Sequence, residues 1–421
     1  AAGSMTVEVN AHGRVIDERP HEGNDPVQGE TAVLTIDAEL QAVAMKELEG
    51  ESGAAVVMDV KTGEVLVMAS SPAFDPNDFN VGINAQKWRE LNASPYKPLL
   101  NKPLSGTYPP GSTFKMITAI AALEAGMSPN ERINCSGRMY FGNRFFHCWK
   151  KEGHGPMNMR NAIKHSCDVY FYQAAIRAGV DRIASVSHRL GLGEIYPFDV
   201  PGQEKGIIPS TDWKLATLNE RWYKGETLSV GIGQGYVNTN PMQLAVMTAR
   251  LATGRAVKPW ITRSLGAETF SPPEAPPIDI DPKHLAIVQG GMDAVTNEGG
   301  GTAWRSRLDN PDWRLAGKTG TSQVRRITKE ERARGVIKNE DLPWHRRDHA
   351  LFVAYAPYED PRYAISVVVE HGGSGSKAAG PRAREIMKAV MAKDPARMKV
   401  VDPTGASGET AALPGDKARQ G

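Results

Sequence analysis

The hydrophobic pattern of the chain predicts β-strands near its beginning. A short apolar run, Thr31 to Ile36, precedes Asp37, a residue type that caps helices, and the apolar positions that follow recur with a 3.6-residue period. Two β-rich runs, residues 53–60 and 64–70, flank Lys61-Thr-Gly63, where glycine can adopt a positive φ. This part of the chain is therefore predicted to form a strand, a helix and a β-hairpin.

The end of the chain repeats the strand pattern, whereas its middle is mostly helical. Residues 351–355 and 363–369 are β-rich, and the stretch between the two strand regions carries mainly helical periodicity. Strands that come from distant segments imply one sheet closed by both ends of a domain. The prediction is an α/β domain over residues 31–395, with a helical subdomain, roughly residues 113–300, inserted into the sheet.

The two flanks of this domain lack such patterns. Residues 1–30 carry few apolar positions: Ala1 to Met5 resemble a cloning remnant, and the remainder is predicted to be a linker that ends a truncated preceding region. Residues 396–421 alternate small, charged, Gly and Pro residues without periodicity, which predicts a disordered tail.

Composition excludes two broad classes of function. The chain has 421 residues with 50 Lys and Arg against 48 Asp and Glu, a net charge of +2, and no stretch concentrates basic residues as a nucleic-acid binder would. The longest mostly apolar run, Met116 to Met127, is interrupted by Glu124 and is shorter than the roughly 18 residues that predict a membrane span. The length is ample for a large buried core.

Ser112 stands immediately before an apolar helix pattern. Residues 116–123 are apolar on nearly every face, which predicts a buried helix. At the first turn of such a helix, free backbone N–H groups and the positive end of the helix dipole favour a developing oxyanion. Lys115 lies three residues later on the same face, where its neutral amine can take the serine proton if burial and a second cation lower its pKa.

The Ser-x-x-Lys spacing alone is weak evidence, because Ser94 and Ser374 also have a lysine three residues later. Ser94 precedes a proline in a polar segment, and Ser374 lies in a glycine-rich stretch, so neither opens a buried helix. This context favours Ser112 as a nucleophile. A helix N-cap without chemistry remains the alternative for that serine.

Two later segments strengthen the case for chemistry. Ser166 and Asp168 open a helix pattern, so a hydroxyl and a carboxylate can point the same way from its first turn. Lys318-Thr-Gly-Thr321 follows an apolar segment, and Gly320 would allow a substrate backbone to approach closely. The earlier Lys61-Thr-Gly63 precedes the candidate nucleophile and is assigned to a hairpin turn.

In this order the three motifs resemble the S-x-x-K, S-D-N and K-T-G set of penicillin-binding proteins and serine β-lactamases. The resemblance is to class B penicillin-binding proteins and covers roughly residues 31–392. Asp168 stands where division-type members usually have Asn, and a charged insertion spans residues 327–347. In both features the chain is similar to the elongation-type group, penicillin-binding protein 2. The implied fold is the penicillin-binding-protein and serine β-lactamase-like transpeptidase fold, an antiparallel sheet flanked by helices.

The resemblance implies a peptidoglycan D,D-transpeptidase that cross-links stem peptides during cell elongation and is acylated by β-lactams. Ser112 would carry the acyl group, Lys115 would be the base, and Ser166 would relay a proton to the leaving amine. Asp168 would orient Lys115 or Ser166 by hydrogen bonding. Backbone N–H groups of Ser112 and Thr321 would form the oxyanion hole. Lys318, Thr319 and Thr321 would hold the terminal carboxylate of the substrate, and Gly320 of the same motif would contribute to substrate binding.

Partners and location are also implied by the resemblance. The expected ligands are peptidoglycan stem peptides and β-lactam antibiotics, and the expected protein partners are a membrane glycan polymerase of the RodA type and its elongasome proteins. The expected location is the periplasmic face of the bacterial inner membrane. An N-terminal anchoring helix and a pedestal domain would precede the printed sequence, and residues 1–30 would include the end of that pedestal.

The three cysteines are clustered between residues 135 and 167. With one histidine they form a Cys₃His set, a common composition of structural zinc sites: Cys135, Cys148, His154 and Cys167. A zinc ion there would hold the segment that carries Ser166 and Asp168 without taking part in the reaction. A Cys135–Cys148 disulfide, three buried thiols, or His147 as a ligand remain alternatives.

Two other functions remain open at the level of sequence. A hydrolase of the same fold, such as a D,D-carboxypeptidase or a β-lactamase, differs only in whether water or an amine resolves the acyl-enzyme. A non-catalytic scaffold or antibiotic sensor would retain the fold as a binding module, although all three motifs are intact. The aromatic pair Trp222-Tyr223 and the basic cluster Trp344 to Arg347 are compatible with a groove wall, a core or a solvated loop.

Overall fold

The computed structural model describes residues 4–24, 27–80, 82–198, 200–272 and 274–396. Fourteen strands are assigned within these ranges: β1 (Ser4–Val9), β2 (Val15–Asn24), β3 (Ala32–Leu34), β4 (Gly53–Asp59), β5 (Val65–Ser71), β6 (Ile133–Cys135), β7 (Arg138–Phe141), β8 (Arg144–His147), β9 (Gly155–Met157), β10 (Thr262–Leu265), β11 (Glu268–Thr269), β12 (Ala316–Ser322), β13 (His349–Ala356) and β14 (Tyr363–Val369).

Thirteen α-helices lie between and after these strands in the described ranges: α1 (Ala38–Glu47), α2 (Ala85–Ala93), α3 (Lys102–Ser105), α4 (Lys115–Glu124), α5 (Met159–Lys164), α6 (Asp168–Ala178), α7 (Val180–Arg189), α8 (Thr211–Leu218), α9 (Lys224–Val230), α10 (Pro241–Thr253), α11 (Pro282–Asn297), α12 (Lys329–Arg334) and α13 (Gly380–Lys393). A 3₁₀ turn, Gly111–Phe114, leads directly into α4.

The main sheet has five antiparallel strands in the order β12-β13-β14-β4-β5. Its central strands β13, β14 and β4 are almost entirely buried, because helices cover both faces. Helices α1 and α13 pack on one face, and α10 packs on the other. Among the strands of the described ranges, β12 pairs only with β13, so it forms an open edge of this sheet.

The helical subdomain is built around α4. Every residue from Lys115 to Leu123 is buried, and the helix contacts α6, α7 and α11. A helix surrounded on all sides must be apolar on all sides, which explains why its sequence lacks an amphipathic stripe. Lys115 is the charged exception at the beginning of this helix.

The α/β architecture predicted from the sequence, with an inserted helical subdomain, is confirmed. The hairpin around Gly63 forms as expected, with that glycine at φ +81°, and Asp37 caps α1 by accepting the N–H groups of Glu39 and Leu40. Strands from both ends of the domain meet where β14 pairs with β4.

The segments before and after the domain, residues 1–30 and 396–421, are only partly covered by the described ranges. Where the sequence predicts a linker, the structure instead pairs β1 and β2 as a two-stranded antiparallel ribbon. The predicted disordered tail lies, from residue 397 onward, outside the described residues. Among the helices of the described ranges, none has the length and apolar character needed to cross a bilayer.

Candidate active site

The candidate nucleophile, Ser112, lies in the 3₁₀ turn that opens α4. Gly111 precedes it at φ +53°, a conformation that residues with a Cβ rarely adopt, and its N–H donates to the carbonyl of Gly233 at 2.9 Å. A Cβ on Gly111 would lie 2.5 Å from the carbonyl oxygen of Thr321. The backbone of the serine turn is therefore pressed between the Gly233 loop and the edge strand β12.

Lys115 is fully buried beneath this turn, with its ammonium group at the centre of the second motif. Its Nζ lies 2.7 Å from Asp168 Oδ1, 2.8 Å from the carbonyl of Ser166 and 3.1 Å from Ser166 Oγ. These three acceptors match the three N–H groups of an ammonium ion. Ser166 is held at φ +53°, which turns its carbonyl and its hydroxyl toward the same lysine.

Lys318 approaches Ser166 from the opposite side. Its Nζ lies 2.9 Å from Ser166 Oγ and 3.0 Å from the carbonyl of Thr319. Burial, together with the positive charge of Lys115, lowers the pKa of the Lys318 amine well below its usual range. The Ser166 hydroxyl thus bridges a lysine that is ion-paired with Asp168 and a lysine whose neutral form is favoured.

Two opposing effects act on the pKa of Asp168. Burial raises the pKa of its carboxyl group, while the ammonium group of Lys115 opposes that shift. Its second oxygen accepts the backbone N–H of Trp149 at 2.9 Å. The carboxylate is therefore bound on one side by the lysine of α4 and on the other by the segment that follows β8.

The third motif occupies the open edge strand. Thr321 is exposed, whereas the Thr319 hydroxyl lies 2.9 Å from the hydroxyl of Thr302. A Cβ on Gly320 would come within 2.9 to 3.0 Å of Thr113 Cγ2, Leu351 Cβ and the Pro110 carbonyl. Gly320 thus allows β12 to pack against the serine turn. The close approach of a substrate backbone at this glycine stays a prediction.

The structure brings the sequence-predicted catalytic residues together. Lys115, Ser166, Asp168 and Lys318 are in direct hydrogen-bond contact, and the Gly111 backbone brings the Ser112 turn against Thr321. Within the described residues, Ser112 Oγ makes no hydrogen bond. Ser94 and Ser374 lie elsewhere, at the end of α2 and before α13, and take no part in this cluster.

The cysteine cluster adjoins the second motif. One ligand atom from each of four residues lies within 4.8 Å of the others: Cys135, Cys148, His154 and Cys167. His154 Nδ1 is 3.6 Å from Cys135 Sγ and 3.5 Å from Cys148 Sγ. All three cysteines are free thiols, and His147 lies outside the cluster. Cys167 is the residue between Ser166 and Asp168, so the cluster is continuous with the candidate active site.

Two residues of the site were not assigned a role from the sequence. The indole N–H of Trp149 donates to the carbonyl of Ser166 at 3.1 Å, while its backbone N–H reaches Asp168. Thr302 contacts Thr319, as described above. The only sequence signals were indirect, since Trp149 follows Cys148 and Thr302 lies in the short segment Gly301-Thr-Ala303.

A histidine pair lies at the end of the edge strand. His349 stands opposite Ser322 of β12, and its Nδ1 accepts the backbone N–H of His371 at 3.0 Å. The rings of these histidines are 4.4 Å apart, and burial lowers the pKa of His349 to about 4. The centroid of the Trp344 ring lies 4.5 Å from that of His371 and 4.7 Å from that of Tyr96, so this tryptophan is part of a packed aromatic cluster.

Most of the chain is similar to known proteins. A family model described as "Penicillin binding protein transpeptidase domain" matches residues 53–388. A peptidoglycan D,D-transpeptidase MrdA of Acinetobacter baumannii is 37% identical over 90% of this chain, which covers 57% of that relative. The chain therefore spans less than two thirds of the length of this curated relative.

Solved structures show the same likeness. The crystal structure of Pseudomonas aeruginosa PBP2 in complex with WCK 5153 is 37% identical, with a TM-score of 0.78 over 89% of this chain and 82% of that one. The complex between PBP2 and MreC from Helicobacter pylori is 34% identical, with a TM-score of 0.78 over 93% of this chain and 69% of that one. The fold predicted from the sequence motifs is confirmed.

Substituting Gly320 by alanine is expected to disturb the contact between the edge strand and the serine turn. The added Cβ meets backbone and side-chain atoms at 2.9 to 3.0 Å, and overpacking of this kind costs about 1–3 kcal/mol. Thermal unfolding of Gly320→Ala should show a clear loss of stability. Gly225→Ala is the matched control, because a Cβ there meets nothing within 4 Å; equal behaviour of the two variants would contradict the packing argument.

The buried His349 is expected to make stability depend on pH. Its pKa is about 4 in the folded chain against an ordinary value of 6.5, so its contribution is present above pH 6.5 and is lost as the pH falls toward 4. The melting temperature of the unaltered chain should fall more steeply across this range than that of His349→Asn, which retains an acceptor for the His371 N–H. Parallel pH profiles would show that this histidine does not contribute.

Proposed function

The chain belongs to the penicillin-binding protein transpeptidase family, and we propose that it is a peptidoglycan D,D-transpeptidase that cross-links stem peptides through an acyl-enzyme on Ser112. One observation carries this proposal: a buried cluster of two lysines, one serine and one aspartate lies beneath a serine turn beside an open strand edge. Such an arrangement supplies a nucleophile, a proton path and a surface for an extended peptide in one place.

Acylation begins with attack of Ser112 Oγ on the carbonyl carbon of the D-Ala-D-Ala peptide bond. The serine proton passes to Lys115, which serves as the base after giving up one of its own protons. The Ser166 hydroxyl is the route for that proton, since it lies 3.1 Å from Lys115 Nζ and 2.9 Å from Lys318 Nζ. The lowered pKa of Lys318 supports the presence of a neutral amine in this pair.

Collapse of the tetrahedral intermediate breaks the C–N bond and releases D-alanine. Ser166 delivers the proton that the leaving amine requires. Asp168 keeps Lys115 oriented, because its carboxylate accepts a hydrogen bond from Lys115 Nζ at 2.7 Å. The acyl-enzyme is then attacked by an amine of a neighbouring stem peptide, which returns Ser112 to its hydroxyl form. A β-lactam acylates the same serine. The amine released by ring opening stays covalently attached to the acyl group, so no leaving group departs.

The edge strand provides recognition. An extended stem peptide can lie beside β12 as an additional strand, because that edge has no partner on its outer side in the described sheet. The side chains of Lys318, Thr319 and Thr321 bind the terminal carboxylate. The backbone N–H groups of Ser112 and Thr321 stabilise the oxyanion, and the contact between Gly111 and the Thr321 backbone supports this pairing.

We also propose that the Cys₃His cluster holds a structural zinc ion. Zn–S bonds of ~2.3 Å and Zn–N bonds of ~2.0–2.1 Å in tetrahedral geometry give an S···N separation of about 3.5–3.6 Å. The two S···N separations to His154 are 3.6 and 3.5 Å, which fits this expectation. The ion would supply no reaction chemistry; Cys135, Cys148, His154 and Cys167 would fix the loop that carries Ser166 and Asp168.

The proposed setting follows from the relatives. The solved complex of a similar PBP2 with MreC supports assembly with elongation proteins, and we extend this proposal to a glycan polymerase of the RodA type. The proposed location is the periplasmic face of the bacterial inner membrane. There the chain would act during cell elongation as part of a longer protein that carries an N-terminal anchor.

Substituting Ser112 by alanine should abolish covalent labelling by penicillin. Intact mass after incubation with benzylpenicillin should show one adduct on the unaltered chain and none on Ser112→Ala. The matched controls are Ser94→Ala and Ser374→Ala, whose serines share the Ser-x-x-Lys spacing, and both should label normally. Rapid turnover without an adduct would favour a hydrolase, and neither an adduct nor turnover in zinc-replete protein would favour a non-catalytic binding module.

Purified protein should contain about one zinc ion per chain. His154→Ala should lose most of this zinc, because it removes the only nitrogen ligand of the described cluster. His147→Ala is the control from the same segment and should retain the metal. Metal analysis combined with thiol titration distinguishes the alternatives, and a metal-free protein with a Cys135–Cys148 disulfide would refute the proposed site.

A further inference from the structure

We propose that Thr302 is a positioning residue for recognition of the substrate carboxylate, acting through the hydroxyl of Thr319. This inference rests on the proposed function and adds a residue outside the three motifs. The two hydroxyl oxygens are 2.9 Å apart, and Thr319 is nearly buried in the edge strand. Within the described contacts of the site, Thr302 is the side-chain partner of Thr319.

The direction of this hydrogen bond decides what Thr319 can offer a ligand. A threonine hydroxyl has one proton, and a carboxylate only accepts hydrogen bonds. If Thr302 donates to Thr319 Oγ1, the proton of Thr319 is free to point at the substrate carboxylate. The hydrogen bond that Thr319 then donates to the ionised carboxylate is stronger than a hydrogen bond between two neutral groups. Thr302 therefore orients the donor that recognises the carboxylate.

The loop that carries Thr302 is built to hold this position. Gly301 N–H donates to the Glu298 carbonyl at 2.9 Å, and Ala303 N–H donates to the Val295 carbonyl at 3.0 Å. A Cβ on Gly301 would lie 2.3 Å from the Val295 oxygen, so only glycine permits the loop to fold back on the last turn of α11. The loop therefore presents Thr302 in a defined place.

Charged side chains attach the same loop to the helix that precedes the second motif. The Glu298 carboxylate accepts hydrogen bonds from Arg160 and, at 2.9 Å, from Lys164, and these partners lower its pKa to about 2. Both cations lie on α5, which ends two residues before Ser166. The loop that carries Thr302 and the segment that carries Ser166 are therefore both attached to α5. Thr302 connects this loop to Thr319 of β12, the strand proposed to bind the substrate carboxylate.

The test compares acylation by benzylpenicillin with acylation by its methyl ester, which lacks the carboxylate. Thr302→Val should lower the second-order rate of acylation by the acid about 3- to 10-fold, the range expected for loss of one ordinary hydrogen bond. The rate with the ester should be unchanged. Thr302→Ser retains a hydroxyl and should restore the rate with the acid.

A mutant cycle separates positioning from a general structural effect. Added to Thr319→Ala, the Thr302→Val substitution should cause little further loss, because its target hydroxyl is already absent. Equal losses for acid and ester, or failure of Thr302→Ser to restore the rate, would overturn the inference. Normal acylation of Thr302→Val by the acid would also overturn it, whereas an unaltered chain that neither compound acylates would refute the proposed function itself.

Discussion

The buried ion pair between Lys115 and Asp168 is the interaction on which the candidate active site depends. The lysine side chain is fully buried and the aspartate is 12% exposed, with 2.7 Å between their charged atoms. Burying either charge alone would be strongly unfavourable, and breaking a buried pair costs about 3–5 kcal/mol. The pair therefore forces α4 and α6 into one relative position, and it holds Ser166 Oγ within hydrogen-bond distance of both Lys115 and Lys318.

Close backbone approach is the second constraint, and glycines satisfy it. The serine turn touches the Gly233 loop on one side and β12 on the other, at distances that exclude a Cβ at Gly111, Gly233 or Gly320. These contacts join the helical subdomain to the sheet without any charged group. They explain why three segments far apart in the chain can present a hydroxyl, two backbone N–H groups and an open strand edge to one peptide.

The Cys₃His cluster and the ion pairs of Glu298 with Arg160 and Lys164 stabilise the candidate active site from outside it. Cys167 is part of the second motif, and Trp149, next to Cys148, donates to both Asp168 and the Ser166 carbonyl. On the other side, Arg160 and Lys164 of α5 bind the loop that carries Thr302. Ser166 has a left-handed backbone conformation and lies between these two sets of contacts. A strained residue of this kind persists only where the surrounding structure holds it in place.

The sequence by itself determined the architecture and the chemical groups of the site. Continuous β-rich runs identified four of the five strands of the sheet, and a run that is apolar on nearly every face identified the buried helix α4, because burial on both faces or on all sides requires apolar residues throughout. The three short motifs identified Ser112, Lys115, Ser166, Asp168 and Lys318, since acyl transfer needs these residue types. The clustering of the three cysteines, with one histidine, likewise pointed to the four residues that the fold brings within 4.8 Å of one another.

Only the tertiary structure decided how these groups are arranged. No local pattern reports that Gly320 faces the serine turn, that Trp149 binds Asp168, or that Thr302 meets Thr319, because each contact joins residues that are distant in the chain. The same holds for charge: the lowered pKa of Lys318 arises from burial and from Lys115, 203 positions away in the numbering (318 − 115), and both depend on the folded core. Residue types follow from local chemistry and periodicity, whereas distances and electrostatics follow from long-range packing.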